Sequence, residues 1–345
     1  MSRWAVVLAG GVGSRFWPLS TPERPKQLLP LATDKPLLQD AVDRLAPMVN
    51  PSHMLVLTNA DLVKPIRTLL PPLPRENIIA EPKPAGTAAA LIWAARVIEQ
   101  RDSPEATMIS VHADWAIGND ERFRQVLDDG ATHAETEHDL VTVGIVPSRA
   151  DPGFGYIQPT DPHSSISPVR RFVEKPDRET AERLWSEGYL WNSGIFIWRV
   201  GDFLAEATEH AGELKQAISL GADAEASDFF NSVRRPISVD NAVLERSPNV
   251  TVVRGDFGWD DIGTWSALGR VRDKDELGNV TTGDVHILDC TDNVVHADEG
   301  RVVMYGVQDL VVVVHKGMTL VTTREKATDL KRLVESIPGV DRSRS

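Results

Sequence analysis

With 345 residues, 41% of them hydrophobic and 25% charged, the chain is long and apolar enough for one large globular domain and a small one. Its net charge of −13 argues against nucleic acid or an anionic membrane as the main partner, but not against nucleotides, which need only a local cluster of cations. The single cysteine, Cys290, admits no intrachain disulfide and fits a reducing cytoplasm; no apolar run is long enough to cross a bilayer, and Met1-Ser2-Arg3 leads straight into an apolar strand, so no signal peptide is expected.

Residues 6–8 read as a first buried strand. It ends in Leu8-Ala9-Gly10-Gly11-Val12-Gly13-Ser14-Arg15, and the stretch continues through Pro18, Pro22 and Pro25 to Lys26. Glycine tolerates the backbone angles that turn consecutive N–H groups outward, and such a nest holds anions, phosphate above all. Arg15 adds a planar guanidinium and Lys26 a mobile point charge. No Lys follows Gly13 as a P-loop requires, and no third glycine opens a helix as the dinucleotide fingerprint requires. The prolines keep the loop irregular as far as Lys26.

Beyond the loop, residues 38–45 place Leu38, Ala41, Val42 and Leu45 on one helical face. Strands are expected at 54–57, 78–80, 107–111 and 141–146, and helices at 60–70, 87–100 and 119–135, the last capped by Asn119. This alternation implies a Rossmann-like α/β fold, a mostly parallel sheet with flanking helices, in which ligands sit beyond the carboxyl ends of the strands. Two further motifs follow such strands. Glu81-Pro82-Lys83-Pro84-Ala85-Gly86-Thr87 enters a helix, whose free N–H groups suit an anion or a base edge. Val111-His112-Ala113-Asp114 puts a carboxylate at a strand end, a position suited to Mg²⁺ as well as to a plain turn.

The second half carries Gly153-Phe154-Gly155-Tyr156, then Glu174-Lys175-Pro176, then Trp191-Asn192-Ser193-Gly194. An isolated Glu-Lys pair is ordinarily solvated surface. Asp240 stands near a helix start, where capping and substrate contact both remain open. Trp259-Asp260-Asp261-Ile262-Gly263 offers two adjacent carboxylates, with capping of a helix over 262–271 as the plain alternative. From Gly278 the pattern changes to short strands at 285–288, 293–295, 301–304 and 310–314, as in β-helix coils or a β-roll. A closing helix is expected over 327–337, with Leu330, Leu333, Val334 and Ile337 on its apolar face.

The Gly10-Gly11-x-Gly13-Ser14-Arg15-x-Trp17-Pro18-Leu19-Ser20 stretch with Pro25-Lys26-Gln27 resembles the signature of sugar-1-phosphate nucleotidyltransferases, in details that match the mannose-1-phosphate guanylyltransferase branch. The resemblance extends through the later motifs. It implies a glycosyltransferase-A-like nucleotidyltransferase catalytic domain over 1–272 and a small C-terminal β-helix-like domain with a closing helix over 278–338. The isomerase domain fused to some relatives is expected to be absent. The implied reaction transfers GMP from GTP to mannose 1-phosphate by direct in-line attack, giving GDP-mannose and pyrophosphate. Catalytic roles fall to Arg15, Lys26, Asp114 and Asp261, with Mg²⁺ on the two aspartates. The nucleotide would lie against Leu8, Ala9, Gly10, Gly11, Gly13, Ser14, Arg15, Lys26, Glu81, Thr87, Ala113 and Asp114. The sugar phosphate would lie against Gly155, Glu174, Lys175 and Asn192. The C-terminal domain suits packing or a homodimer. Three motifs depart from the family: Ala85-Gly86 where Arg-Asn is common, His112 and Trp115 around Ala113-Asp114, and Asp260 where Ser is usual. The same motifs would also serve another sugar 1-phosphate, such as a heptose or glucose, another nucleotide, or a non-catalytic nucleotide-sugar-binding regulator. Retention of both cations and both aspartates favours an enzyme.

Overall fold

The computed structural model describes residues 1–11, 15–221 and 224–338. The chain forms two units, one from Met1–Gly10, Val42–His112 and Asn119–Trp259, the other from Gly11–Ala41, Ala113–Gly118 and Asp260–Ser345.

The first unit is built on a nine-stranded sheet. Its first half comes from β1 (Arg3–Leu8), β2 (Met54–Asn59), β3 (Ile78–Glu81) and β4 (Thr107–His112), which run parallel in the order β3-β2-β1-β4. β1, β2 and β4 are buried along almost their whole length, which is why each reads as a largely apolar run. The intervening helices are α1 (Leu37–Leu45), α2 (Val63–Leu69), α3 (Thr87–Arg101) and α4 (Asp120–Glu137). α3 buries its alanines, Ala88 to Ala90 and Ala94 to Ala95, in one core with β1 and β2; small side chains let it lie close to the sheet. Asn119 caps α4 as expected, its side chain accepting from Arg122 N at 2.9 Å.

The second half of the sheet comes from β5 (Leu140–Ile145), β6 (Tyr156–Pro159), β7 (Ile166–Val173), β8 (Leu190–Arg199) and β9 (Val250–Gly255). β8 inserts between β4 and β5 and runs against both. β5 and β9 are parallel, and β7 opposes both β9 and β6. The sheet is therefore mixed: the parallel half agrees with the strand–helix alternation, and β8 reverses the direction beyond it.

The second unit contains β10 (Val280–Thr282), β11 (Val285–Leu288), β12 (Val294–Ala297), β13 (Val302–Tyr305), β14 (Leu310–His315) and β15 (Met318–Thr323). β10, β12 and β14 stack in parallel, β11 pairs in parallel with β13, and β15 closes on β14 from the opposite direction. Successive coils thus feed two small sheets, the β-helix pattern. Its turns are stitched by two buried asparagines. Asn279 donates to Cys290 O at 2.8 Å, and Asn293 donates to Asn279 Oδ1 at 2.9 Å and Val307 O at 3.1 Å while accepting from Leu310 N at 2.9 Å. The expected closing helix is shorter. A 3₁₀ turn, Lys326–Thr328, precedes a helix over Lys331–Ser336, and the Asp329 side chain accepts from Lys331 N at the break. Of its proposed apolar face only Leu330 is buried; Leu333 is exposed.

This unit has its own core. Phe16, Leu19, Leu29 and Leu31 pack with Ile262, Trp265 and Leu268 and with Val294, Val311, Val313, Leu320 and Leu330 of the β-helix. Because Asn293 is fully buried and its side chain serves two backbone groups and the Asn279 side chain across two turns, Asn293→Ala should lower the unfolding free energy by about 2–3 kcal/mol, the scale of leaving buried polar groups unpaired. Urea denaturation of the full chain measures it, and a loss under about 0.5 kcal/mol would show that the ladder contributes nothing.

Candidate active site

In the second unit the site is centred on Lys26. Pro25 precedes the 3₁₀ turn Lys26–Leu28, and Leu29 N returns to Lys26 O at 3.0 Å. The turn buries Lys26, which is 9% exposed. Its ammonium donates to Asp114 Oδ2 at 3.0 Å and to Asp261 O at 2.5 Å. The two acidic segments are joined by backbone as well: Ala116 and Asp260 exchange both N–H···O bonds, at 2.9 and 3.0 Å. Three segments remote in sequence therefore meet at one cation, bringing Lys26, Ala113-Asp114 and Asp261 together.

The two adjacent carboxylates have different tasks. Asp260 is buried and taken up: Oδ1 accepts from Ile262 N at 2.9 Å, and the carboxylate takes Arg270 Nε at 2.6 Å and Nη2 at 3.0 Å. Ile262 sits at φ 42°, an unusual backbone for a β-branched residue, so this turn is held by its surroundings. Asp261 is left beside Lys26. Burial pushes its carboxyl up; the Lys26 ammonium opposes this, and the Asp260 and Asp114 charges add to it. The anticipated helix over 262–271 is instead a 3₁₀ turn, Trp265–Ala267, followed by Leu268–Val271. Gly263 leaves the space into which both Arg15 and Asp261 face. A Cβ there would lie 3.0 Å from Asp261 Oδ2 and 3.6 Å from Arg15 Nη1. Arg15 is exposed, and Gly11 O accepts from the buried Gln27 side chain at 2.9 Å. Gly13 and Ser14 lie outside the described residues.

In the first unit, Leu8 pairs with Leu57 and His112, and Ala9 is fixed to β2 through Leu57 O and the Thr58 hydroxyl. Gly10 is exposed and lies beside the Glu81 carboxylate, whose Oε1 would be 3.5 Å from a Cβ at that position. Burial pushes the Glu81 carboxyl up to about 7. Thr87 opens α3, but its hydroxyl accepts from Val239 N at 3.0 Å rather than facing a free helix end. The glycine of the Ala85-Gly86 departure has a physical reason. Gly86 sits at φ 85°, and a Cβ there would come within 2.6 Å of Ile237 N, so only glycine lets that backbone approach.

A second cluster forms around Asn192. Its backbone N–H donates to Gly155 O at 2.8 Å and its amide donates to Asp240 Oδ1 at 2.7 Å. Glu174 closes on Gly155: a Cβ there would meet Glu174 Oε2 at 2.7 Å and turn that carboxylate aside. Lys175 and Glu174 are exposed and pair at 3.4 Å, with Lys175 in the left-handed region at φ 39°. Gly155, Glu174, Lys175 and Asn192 thus come together, as the motifs imply. Asp240 joins them. It opens the π-helical turn Asp240–Leu244, and burial pushes its carboxyl up, opposed by hydrogen bonds from the Asn192 amide and from its own backbone N–H. Its sequence neighbourhood pointed equally to a cap; only the Asn192 contact distinguishes the two.

A mixed sheet with flanking helices and a β-helix tail make up a nucleotidyltransferase fold. Residues 4–277 match the nucleotidyl transferase family, and residues 283–337 match the mannose-phosphate isomerase/GMP-like β-helix domain. The chain belongs to the nucleotidyl transferase family and is a nucleotidyltransferase enzyme. It is 37% identical to a mannose-1-phosphate guanylyltransferase of Klebsiella pneumoniae, over 98% of this chain and 74% of the relative. It is 36% identical to one of Escherichia coli, over 96% and 73%. A crystal structure from Thermus thermophilus described as mannose-1-phosphate geranyltransferase superposes with a TM-score of 0.89 at 32% identity, covering 97% of this chain and 99% of that one. No helix among the described residues is long and apolar enough to cross a membrane.

Glu81 gives a pH test of the first-unit geometry. Its folded-state pKa lies above the ordinary carboxylate value, so its contribution to stability is complete below that value and is lost as pH rises through about 7. Glu81→Gln should therefore melt at a higher temperature than the parent near pH 8, with the difference vanishing near pH 4. Differential scanning calorimetry checks it, and equal melting temperatures at both pH values would contradict the buried, ionisable setting.

Proposed function

We propose that the chain transfers GMP from GTP to α-D-mannose 1-phosphate, releasing pyrophosphate and forming GDP-mannose. What carries the reading is its similarity, along nearly the whole chain and through the β-helix tail, to relatives that bear the guanylyltransferase name. A phosphate oxygen of the sugar phosphate attacks the α-phosphorus of GTP in line, the new P–O bond forming as the bond to pyrophosphate breaks. No covalent enzyme intermediate is required, so the protein contributes positioning and charge neutralisation. The turn from Leu8 and Ala9 through Gly10, Gly11, Gly13 and Ser14 cradles the triphosphate, with Arg15 and Lys26 supplying positive charge. Glu81 and Ala113 border the nucleotide, whereas Thr87, its hydroxyl accepting from Val239 N, contributes through the start of α3. Glu174, Gly155 and Asn192 hold the sugar hydroxyls and Lys175 the sugar phosphate.

Mg²⁺ is the implied cofactor, and the residues suit it. It prefers oxygen ligands and uses one or two carboxylates together with substrate phosphates. Asp114 and Asp261 offer two carboxylates on bridged segments, and Asp261 already feels the Asp114 charge. These two aspartates would hold the ion, which when bound neutralises charge on the phosphates. Asp260 has its oxygens engaged by Arg270 and Ile262, which favours Asp261 as the ligand. The Ala85-Gly86 departure is the observation that favours a second reading, the same chemistry with another nucleobase.

Mass-spectrometric product analysis with each nucleoside triphosphate against a panel of sugar 1-phosphates tests the proposal. GDP-mannose should dominate, and a different nucleotide sugar as main product would replace the substrate assignment. Lys26→Ala should keep its fold and lose about 10²-fold or more in kcat/KM, the scale of one preorganised charge stabiliser. Near-normal turnover would remove Lys26 from the mechanism. Lys175→Ala should raise KM for mannose 1-phosphate while calorimetric GTP affinity stays unchanged, and a collapse of GTP binding would overturn the division of the substrates.

A further inference from the structure

The loop that carries Lys26 is held by local backbone bonds between Pro25 and Leu37 and not by a sheet. Pro25 and Pro30 lack an N–H, and the loop lies outside the named strands. Leu29 and Leu31 anchor it in the core of the second unit, but the carbonyls beside them need donors. One side chain supplies them. Arg272 Nε donates to Leu31 O at 2.7 Å, and its Nη2 donates to Pro30 O at 2.8 Å and Thr33 O at 2.6 Å. Its Nη1 donates to the Thr282 hydroxyl in β10 at 3.3 Å. Arg272 follows directly on the short helix Leu268–Val271, its N–H donating to Leu268 O at 3.0 Å. The segment that brings Asp261 beside Lys26 therefore also fixes the loop from which Lys26 comes.

We infer that Arg272 is a positioning residue for the nucleotide side of the reaction: it ties the Pro30–Thr33 carbonyls to the first strand of the β-helix and thereby fixes where the Lys26 ammonium stands. The inference rests on the proposed guanylyl transfer and extends it, because it gives the β-helix a part in substrate placement besides packing. The chain of bonds is short. Leu31 N donates to Leu29 O and Leu29 N to Lys26 O, both at 3.0 Å, so a displaced Leu31 carries the Lys26 turn with it. Lysine cannot replace the contact. Its donors radiate from one nitrogen, whereas the planar guanidinium spans carbonyls that lie apart. Trp265 supports the same loop from the same segment, donating to Trp17 O at 3.0 Å, with its ring 5.2 Å from Phe16.

The test is steady-state kinetics of Arg272→Ala and Arg272→Lys with GTP and mannose 1-phosphate varied separately, melting temperatures recorded alongside. Both variants should raise KM for GTP by about 10-fold or more, on the scale of losing charge-assisted hydrogen bonds, and change KM for mannose 1-phosphate little. Added guanidinium ion, at concentrations that leave the melting temperature unchanged, should restore part of the lost GTP affinity to Arg272→Ala and do nothing for the parent. Fewer active molecules with both KM values unchanged, and no rescue, would make Arg272 a structural residue and overturn the inference. Should Arg272→Ala not fold, Thr282→Val keeps the carbonyl contacts and cuts only the tie to β10. It should raise KM for GTP alone, and unchanged kinetics there would count against the β-helix part. If the parent makes no GDP-mannose, the functional reading fails by itself; titration of the same variants with GTP then reads the Arg272 contrast without turnover.

Discussion

The ammonium of Lys26, 3.0 Å from Asp114 Oδ2 and 2.5 Å from Asp261 O, is the interaction around which the candidate site of the second unit is arranged. A cation this buried is stable only with partners, and these are delivered by segments nearly 90 and 235 positions away. The surrounding structure serves that meeting. The Ala116–Asp260 backbone bridge joins the acidic segments, and the Asp260–Arg270 pair holds the strained turn at Ile262. Leu29 and Leu31 sink the loop into a core shared with the β-helix. In the proposed reaction they would preorganise charge for the triphosphate, the general means by which phosphoryl chemistry is accelerated without a covalent intermediate.

The first unit follows a different logic, close approach of backbone and carboxylate. Gly155 yields the space that Glu174 occupies, and Asn192 is held at one side by Gly155 O and at the other by Asp240. Gly86 lets the Ile237 backbone close over the start of α3, and Thr87 fixes Val239 just before Asp240. A departure from the family at Gly86 is thus coupled to the placement of a carboxylate in the cluster proposed to hold the sugar.

Much of this was legible in the sequence where the signal is local. β1 to β5 announce themselves as apolar runs and Asn119 as a cap. The β-helix coils showed in their short strands and Gly/Asp corners. What escaped depends on partners distant in sequence. The antiparallel insertion of β8 between β4 and β5 leaves no trace in the periodicity of β8 itself. Arg270 and Arg272 look like ordinary surface cations until Asp260 and the Pro30–Thr33 carbonyls are placed against them. The choice between Asp260 and Asp261 was likewise undecidable from two adjacent aspartates. The closing helix failed for a local reason: the Asp329 side chain captures Lys331 N and divides a pattern that periodicity alone reads as continuous.

The central claim is that the segments meeting at Lys26 form the cation and phosphate centre of the enzyme. Crystals grown with a non-hydrolysable GTP analogue and Mn²⁺, measured for anomalous scattering, test it most directly. The account predicts one anomalous peak shared by the Asp114 and Asp261 carboxylates, with the Lys26 ammonium on a phosphate oxygen. A bound nucleotide whose metal lies elsewhere, or whose phosphates stand apart from Lys26, would contradict it.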